Sequence, residues 1–445
     1  MSEPKNFLPA FIVVTSLFFM WGFITVLVDA LIPRLKDVFE LSYFEAGIVQ
    51  FAFFTAYAVF SIPGGALISH IGYKKGAVVG LLTMGAACLL FFPAASYRVF
   101  GLFLLAMFVL AGGITILQVA ANPYVAALGA PQTASSRLNL AQAFNSLGTT
   151  IAPLVSAAFI LSSNVASSVE ISAMTDMAKQ AYYESEASAV QGPFLVLASV
   201  LIVLALAFAS FKLPSILEGD DHKHGSYRVA TKTKHLMFGA IGIFVYVGAE
   251  VAIGSYLVNY FLNLDIQSLV GNSDTMSGVA SVLSSIFSSI ELTDMTAAQL
   301  AGTFVFFYWF GAMVGRFIGS ALLQKVQAGN LLAVYAAVNI LLLSISMLTT
   351  GYTAMWSVLM VGLFNSIMFP NIFTLAISNM KEHTAQASGI LCTAIVGGAF
   401  IPPLYGKLAD MFGLQIALIL PALCYAYILW YGKKGSQIET EAISN

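Results

Sequence analysis

The chain has 445 residues, of which 59% are hydrophobic and 9% charged, with 19 lysines and arginines against 21 aspartates and glutamates. A soluble chain of this length carries roughly a quarter of its residues as charges, so most soluble classes are excluded. A net charge of −2 without a long basic run also argues against nucleic acid as a partner. Apolar residues recur from Phe7 to Tyr431 in blocks about as long as the ~20 residues that cross a bilayer, which predicts an all-α polytopic protein of the lipid bilayer.

Apolar windows punctuated by charges, Gly and Pro give twelve spans: 7–31, 43–69, 75–95, 99–127, 138–162, 191–211, 236–262, 298–322, 329–349, 353–378, 384–406 and 412–432. The first begins directly after Met1-Ser2-Glu3-Pro4-Lys5 and is too long and too uniformly bulky for a cleaved signal peptide, so it is expected to stay. No charge interrupts the stretch from Val326 to Met380, which Thr349-Thr350-Gly351-Tyr352 divides into the ninth and tenth spans. With both termini inside, the 19 basic residues divide fourteen to five, the outer ones being Arg34, Lys36, Arg98, Lys179 and Lys407. That asymmetry predicts cytoplasmic termini, as expected of a multi-pass protein of a bacterial inner membrane. The outer loops 163–190 and 265–297 are Ser-rich and acidic, with Lys179 their only basic residue.

The polar inner loop 212–235, containing Asp220-Asp221-His222-Lys223-His224, separates an N-terminal six-span unit, 1–211, from a C-terminal one, 236–445, which carries the outer insertion 265–297. Short parallels keep their order in the two halves. Phe19-Met20-Trp21-Gly22 falls where Val245-Tyr246-Val247-Gly248 falls, and Asn122-Pro123 in the fourth span matches Pro370-Asn371 in the tenth. A pseudo-symmetric 6+6 bundle with a site near the midplane is the architecture of secondary transporters. Small residues such as Gly64-Gly65, Gly315 and Gly397-Gly398 would let its helices approach closely.

Ionisable groups inside spans are costly and mark function by default. Glu250 lies close to mid-depth in the seventh span and Asp29 near the outer third of the first. The competing readings are a structural pair for Glu250 and a solvated carboxylate near Arg34 for Asp29. In the fifth span Asn139, Gln142 and Ser146 share a stripe with Asn145 beside it, Gln118 and Asn122 are four apart in the fourth, and Asn365 and Asn371 flank Pro370 in the tenth. Any one amide could be interhelical glue. Several around one cavity, with Trp21, Tyr246 and Trp309, suit an uncharged polyhydroxylated ligand that stacks on rings. Arg137 and Arg316, at inner helix ends, are expected to form gate ion pairs rather than to touch substrate.

Other chemistries find little support. The five histidines fall in or beside inner loops without metal-ligand spacing, so no transition-metal site is expected. Cys88, Cys392 and Cys424 lie within apolar blocks and read as packing thiols. Neither a P-loop nor a nucleophile motif occurs, so the chain is expected not to be an enzyme and to need no cofactor beyond a coupling ion.

The residues Gln118-Val-Ala-Ala-Asn122-Pro123-Tyr124, Arg137-Leu-Asn-Leu-Ala-Gln142-Ala-Phe-Asn145-Ser146, Tyr246-Val-Gly-Ala-Glu250 and Asn365-Ser-Ile-Met-Phe-Pro370 resemble the fucose/glucose-galactose porter branch of the major facilitator superfamily, through nearly the whole chain. The resemblance implies cation-coupled hexose uptake by rocking of the two halves. In the fucose/proton member a carboxylate matches Asp29, sugar-contacting amides match Gln142 and Asn145, and an aromatic near the sugar matches Trp21. That member has Glu at the position of Gln118 and Gln at that of Glu250, so the mid-membrane acid has moved from the fourth helix to the seventh.

A glutamine cannot titrate, whereas its carbonyl, with Asp29 and amide oxygens, suits Na⁺. Na⁺ is therefore expected as coupling ion at Asp29 and Gln118, with H⁺ through Asp29 or Glu250 as the competitor. Trp21, Gln118, Asn122, Gln142, Asn145, Glu250 and Asn365 are the expected substrate contacts. The chain is expected to work as a monomer. A passive hexose facilitator and a sugar sensor with a transporter fold are the alternatives, and glucose, galactose, mannose and N-acetylglucosamine all suit such a pocket.

Overall fold

The computed structural model describes residues 7–38, 43–97, 99–159, 174–214, 225–287, 292 and 295–438. The N-terminal half comprises α1 (Leu8–Val38), α2 (Tyr43–Ile71), α3 (Tyr73–Tyr97), α4 (Phe100–Ala127), α5 (Ala134–Phe159) and α6 (Asp176–Ser210). The C-terminal half comprises α7 (Lys234–Asn263), α8 (Ala297–Leu322), α9 (Ala328–Leu348), a tenth span split into α10 (Gly351–Asn365) and α11 (Met368–Ala376), an eleventh split into α12 (Thr384–Thr393) and α13 (Gly397–Phe412), and α14 (Ile419–Trp430). No strand occurs among the described residues.

Eleven of these spans are long and apolar enough to cross a bilayer. The exception is α5, long enough at 26 residues but interrupted on one side by Arg137, Asn139, Gln142, Asn145 and Ser146. It is shielded from lipid on that side because it lies between α1 and α8, as polar groups in a membrane require. The sixth span also departs from the sequence reading. Its helix begins at Asp176, capped by the Thr175 hydroxyl that accepts from the Ala178 amide at 3.3 Å. The latter part of the expected loop 163–190 is thus a helical extension, as its alanines and glutamates favour.

Prolines shape the helices that meet at the centre. Pro123 cannot donate to the carbonyl of Val119, nor Pro370 to that of Ser366, so each leaves a free acceptor inside its span. Both are taken by side chains: the Ser388 hydroxyl donates to Val119 O at 2.8 Å and Arg316 Nε to Ser366 O at 3.2 Å. These prolines are the parallel that relates the fourth and tenth spans.

The N-terminal core centres on α4, whose residues from Leu110 to Ala126 are all buried, and on the stacked rings of Phe91 and Phe194, 4.1 Å apart, which join α3 to α6. The halves meet where α2 and α4 pack on α12 and where α5 packs on α8 and α11. Of the central loop, residues 225–233 are described and include a short helix, Tyr227–Ala230; residues 215–224 lie outside the described ones. The insertion after α7 forms the short helix Ile266–Gly271 and the helix Asp274–Phe287, and a reciprocal Thr296–Gln299 cap then starts α8. The bundle thus has a central-loop end and an insertion end.

Candidate functional site

Glu250 lies sixteen residues into α7, roughly 24 Å along the helix at 1.5 Å per residue. One turn earlier, the Tyr246 hydroxyl donates to Glu250 Oε1 at 2.7 Å and lies 3.3 Å from Asn365 O. Asn365 is a hub. Its Oδ1 accepts from Asn339 Nδ2 at 2.8 Å and from the Tyr425 hydroxyl at 2.7 Å, and its Nδ2 donates to the Tyr308 hydroxyl at 2.7 Å. Asn365, Asn339, Tyr308 and Tyr425 are all 0% exposed, so the network ties α7, α8, α9, α10 and α14 together in a medium where unpaired groups are expensive. Glu250 differs from them in keeping accessible surface, and no protein donor reaches its second oxygen among the described residues.

On the facing half, Gln118 Nε2 donates to the Tyr57 hydroxyl at 2.7 Å, joining α4 to α2. Asn145 Nδ2 donates to Phe18 O at 2.8 Å, which fastens α5 to α1. The fit there requires Gly22, since a Cβ at that position would stand 2.7 Å from Asn145 Nδ2. Trp21, at 9% exposure, packs on Phe18 with ring centroids 5.5 Å apart. The Gln142 carboxamide makes no side-chain hydrogen bond among the described residues, although Gln142 is only 6% exposed. Trp309 is 46% exposed, with its indole close to Gly254.

Arg316 joins the two groups. It interacts electrostatically with Glu250 and Tyr246, and its guanidinium donates to Ser146 Oγ and, at 3.5 Å, to Gln142 O on α5 of the opposite half. The expected gate ion pairs are not seen at hydrogen-bonding distance among the described residues, although Arg316 lies near Glu250. Arg137 donates to Val125 O at 3.4 Å, to Ala126 O at 2.5 Å and to Thr133 Oγ1 at 2.6 Å, and so caps the end of α4 within its own half. The oxygens within hydrogen-bonding reach of both guanidiniums are neutral among the described residues, because the helix ends beside them offer carbonyls and hydroxyls.

A ladder of neutral hydrogen bonds instead holds the halves together. Ser135 Oγ and Thr374 Oγ1 are 2.6 Å apart, Ser136 and Ser320 exchange hydroxyl-to-carbonyl bonds at 2.7 and 3.0 Å, and Asn139 Nδ2 donates to Asn371 Oδ1 at 2.8 Å. With Arg316–Ser146 these rungs lie between Ser135 and Ser146 on α5, within about 18 Å of the central-loop end. Tyr227 of the central loop adds a donor to Ile62 O of α2, beside Gly65 and Gly389. Burial pushes its phenol up to about 12.

Of the sequence-predicted residues, Glu250, Gln118, Gln142, Asn145 and Trp21 lie on helices around the centre, and Arg316 bridges Glu250 to α5. Asn365 is brought into the site only behind Tyr246, with three of its four bonding capacities used inside the bundle. Asn122 is wholly buried. Asp29 belongs to α1, but its side chain lies outside the described residues. Sequence reasoning missed Tyr57, Tyr308, Tyr425 and Asn339. Asn339 could have been found as a lone carboxamide near the middle of an otherwise apolar ninth span.

Two six-helix halves of one connectivity, joined at one end and carrying a partly exposed acid and amides at mid-depth, are the architecture of secondary transporters. Residues 10–403 match the family model of the Major Facilitator Superfamily, and the chain belongs to that family. It is a multi-pass integral protein of the inner membrane. It is 50% identical to a protein of Brucella abortus named glucose/galactose transporter, over 98% of this chain and 96% of that one. It is 42% identical to a putative glucose/galactose transporter of Helicobacter pylori, over 96% of each chain. The crystal structure of the Escherichia coli fucose:proton symporter in the outward conformation superposes with a TM-score of 0.85 at 30% identity, covering 97% of this chain and 100% of that one.

Proposed function

We propose that this protein imports a hexose of the glucose/galactose type by cation symport, with the central-loop end in the cytoplasm. The observation that carries the reading is a partly exposed Glu250 in one half and an unengaged Gln142 carboxamide in the other, with Arg316 near Glu250 and donating to the backbone carbonyl of Gln142. A carboxylate accepts strongly from hydroxyls and a carboxamide both donates and accepts, which suits a neutral, polyhydroxylated ring. The names of the Brucella and Helicobacter relatives support the same substrate class. The seal at the central-loop end agrees with the outward conformation of the superposed symporter, and the basic-residue asymmetry supports a cytoplasmic central loop. Gln142, Asn145, Trp21 and Glu250 contact the sugar, Asn365 sets Tyr246 and through it Glu250, and the protein works as a monomer.

For the coupling ion the reading favours Na⁺. Gln118 cannot titrate, its Nε2 is committed to Tyr57 at 2.7 Å, and its carbonyl is left as an oxygen ligand, to which the Asp29 carboxylate of α1 would be a second. Proton coupling is the second reading, supported by the named activity of the Escherichia coli and Haemophilus influenzae relatives, L-fucose-proton symporters. Uptake of labelled D-glucose into proteoliposomes tests both. Accumulation driven by an inward sodium gradient at fixed symmetric pH is the expected result, and uptake that ignores sodium but follows a pH gradient replaces Na⁺ with H⁺. Equilibration without accumulation under either gradient identifies a facilitator, and no flux at all overturns the carrier reading.

A further inference from the structure

Two polar side chains deep in the N-terminal half are buried without partners. Asn122 is 0% exposed and neither its Oδ1 nor its Nδ2 has a hydrogen-bond partner; Ser61 is 0% exposed and its Oγ has none. Serine in a helix ordinarily bonds back to a carbonyl one turn earlier, and a buried carboxamide ordinarily finds at least one partner. Their register places them at one level. Tyr57 and Gln118 are joined at 2.7 Å, α2 and α4 both run toward the central-loop end, and Ser61 and Asn122 each follow by four residues, about 6 Å further on and on the same helix faces.

What covers that level comes from the opposite half. Ser388 of α12 donates to Val119 O at 2.8 Å, and the neighbouring Gly389 approaches so closely that a Cβ there would stand 2.8 Å from Ser61 O. Any movement that parts the halves at the central-loop end withdraws α12 from α2 and α4. The unpaired amide and hydroxyl then face the opening cleft, where hydroxyl-bearing ligand or water can pair them.

We propose that Ser61 and Asn122 form a second hydroxyl-binding subsite, covered in this conformation and uncovered when the central-loop end opens, which receives the hexose as it leaves the midplane site. The inference rests on the hexose-carrier reading for its ligand but not for its uncovering. Burial of unpaired groups disfavours the sealed state, so the subsite also biases the bundle toward opening.

Two variants test it. Asn122→Leu keeps the number and branching of side-chain heavy atoms and removes the unpaired amide; it is expected to raise the thermal unfolding temperature and to slow D-glucose import by roughly 10-fold, by stabilising the sealed state. A lower unfolding temperature, or an unchanged import rate, overturns the proposed bias. Ser61→Cys, in inside-out vesicles and against a parent with the buried native cysteines alone, is expected to resist an impermeant maleimide. It should react roughly 10-fold faster once Ser135→Ala and Ser136→Ala remove rungs of the seal. No acceleration overturns the uncovering, whether or not the protein transports sugar. D-glucose should slow labelling of the unsealed variant, and labelling that D-glucose leaves untouched overturns the hexose subsite while the uncovering stands. Failure of the wild-type protein to take up D-glucose in the same preparation refutes the carrier reading separately.

Discussion

Replacing Glu250 by Gln removes a charge while keeping shape and one acceptor. The Tyr246 hydroxyl, 2.7 Å from Oε1, can still donate to the new amide carbonyl, so the network through Asn365 should persist and the protein should fold. What is lost is the carboxyl oxygen that no protein donor reaches among the described residues. A hydrogen bond to a charged acceptor contributes about 1.5–3 kcal/mol and a neutral one about 0.5–1.5, so each sugar hydroxyl on that oxygen should bind about 1–1.5 kcal/mol more weakly. That corresponds to roughly a five- to twelvefold rise in the half-saturation concentration for D-glucose. The assay is concentration-dependent uptake in proteoliposomes, paired with thermal unfolding to show that folding is intact. A half-saturation within about twofold of wild type refutes sugar contact at Glu250, since even one lost charge-assisted bond exceeds that.

Asn365→Leu should be far more damaging to stability than to specificity, because it leaves Asn339 Nδ2 and the hydroxyls of Tyr308 and Tyr425 unpaired in buried surroundings, at about 1–3 kcal/mol each; thermal unfolding in detergent measures the loss, and a shift of a degree or less refutes the hub. Ser388→Ala should leave the Val119 carbonyl, already freed by Pro123, without a donor, and so weaken only the sealed state. Amide exchange at the central-loop ends of α2 and α12 should then quicken by about tenfold. The Tyr227 bond to Ile62 O should hold through neutral pH: a phenol raised by burial from 10.0 to about 12 contributes fully below 10 and is lost only as pH climbs through 12. Tyr227→Phe should loosen the same exchange at every pH below that range.

The composition and its spacing determined a great deal without coordinates. Blocks of apolar residues the length of a bilayer crossing have one way to satisfy their backbone, so an all-helical bundle was legible in the sequence, and eleven of the twelve expected spans are long and apolar enough to cross a bilayer. Legible too was a short list of candidate groups, since a carboxylate or carboxamide within a span has few structural excuses, and Glu250, Gln118, Gln142 and Asn145 stand out on that ground. What the chain could not reveal was which of these groups would be occupied by one another. Asn365 and Asn122 look alike in sequence, each an amide near a proline, yet one is held by three neighbours from other helices and the other has none among the described residues. Arg316 and Arg137 likewise both sit near inner helix ends, but only Arg316 reaches across to the other half. Hydrogen-bond partners separated by tens to hundreds of residues leave no periodicity to read, because helix pattern fixes which face a side chain occupies and only packing decides what that face meets. Tertiary structure alone therefore decided that the halves are joined by neutral rungs at one end, and which polar groups remain free at the centre.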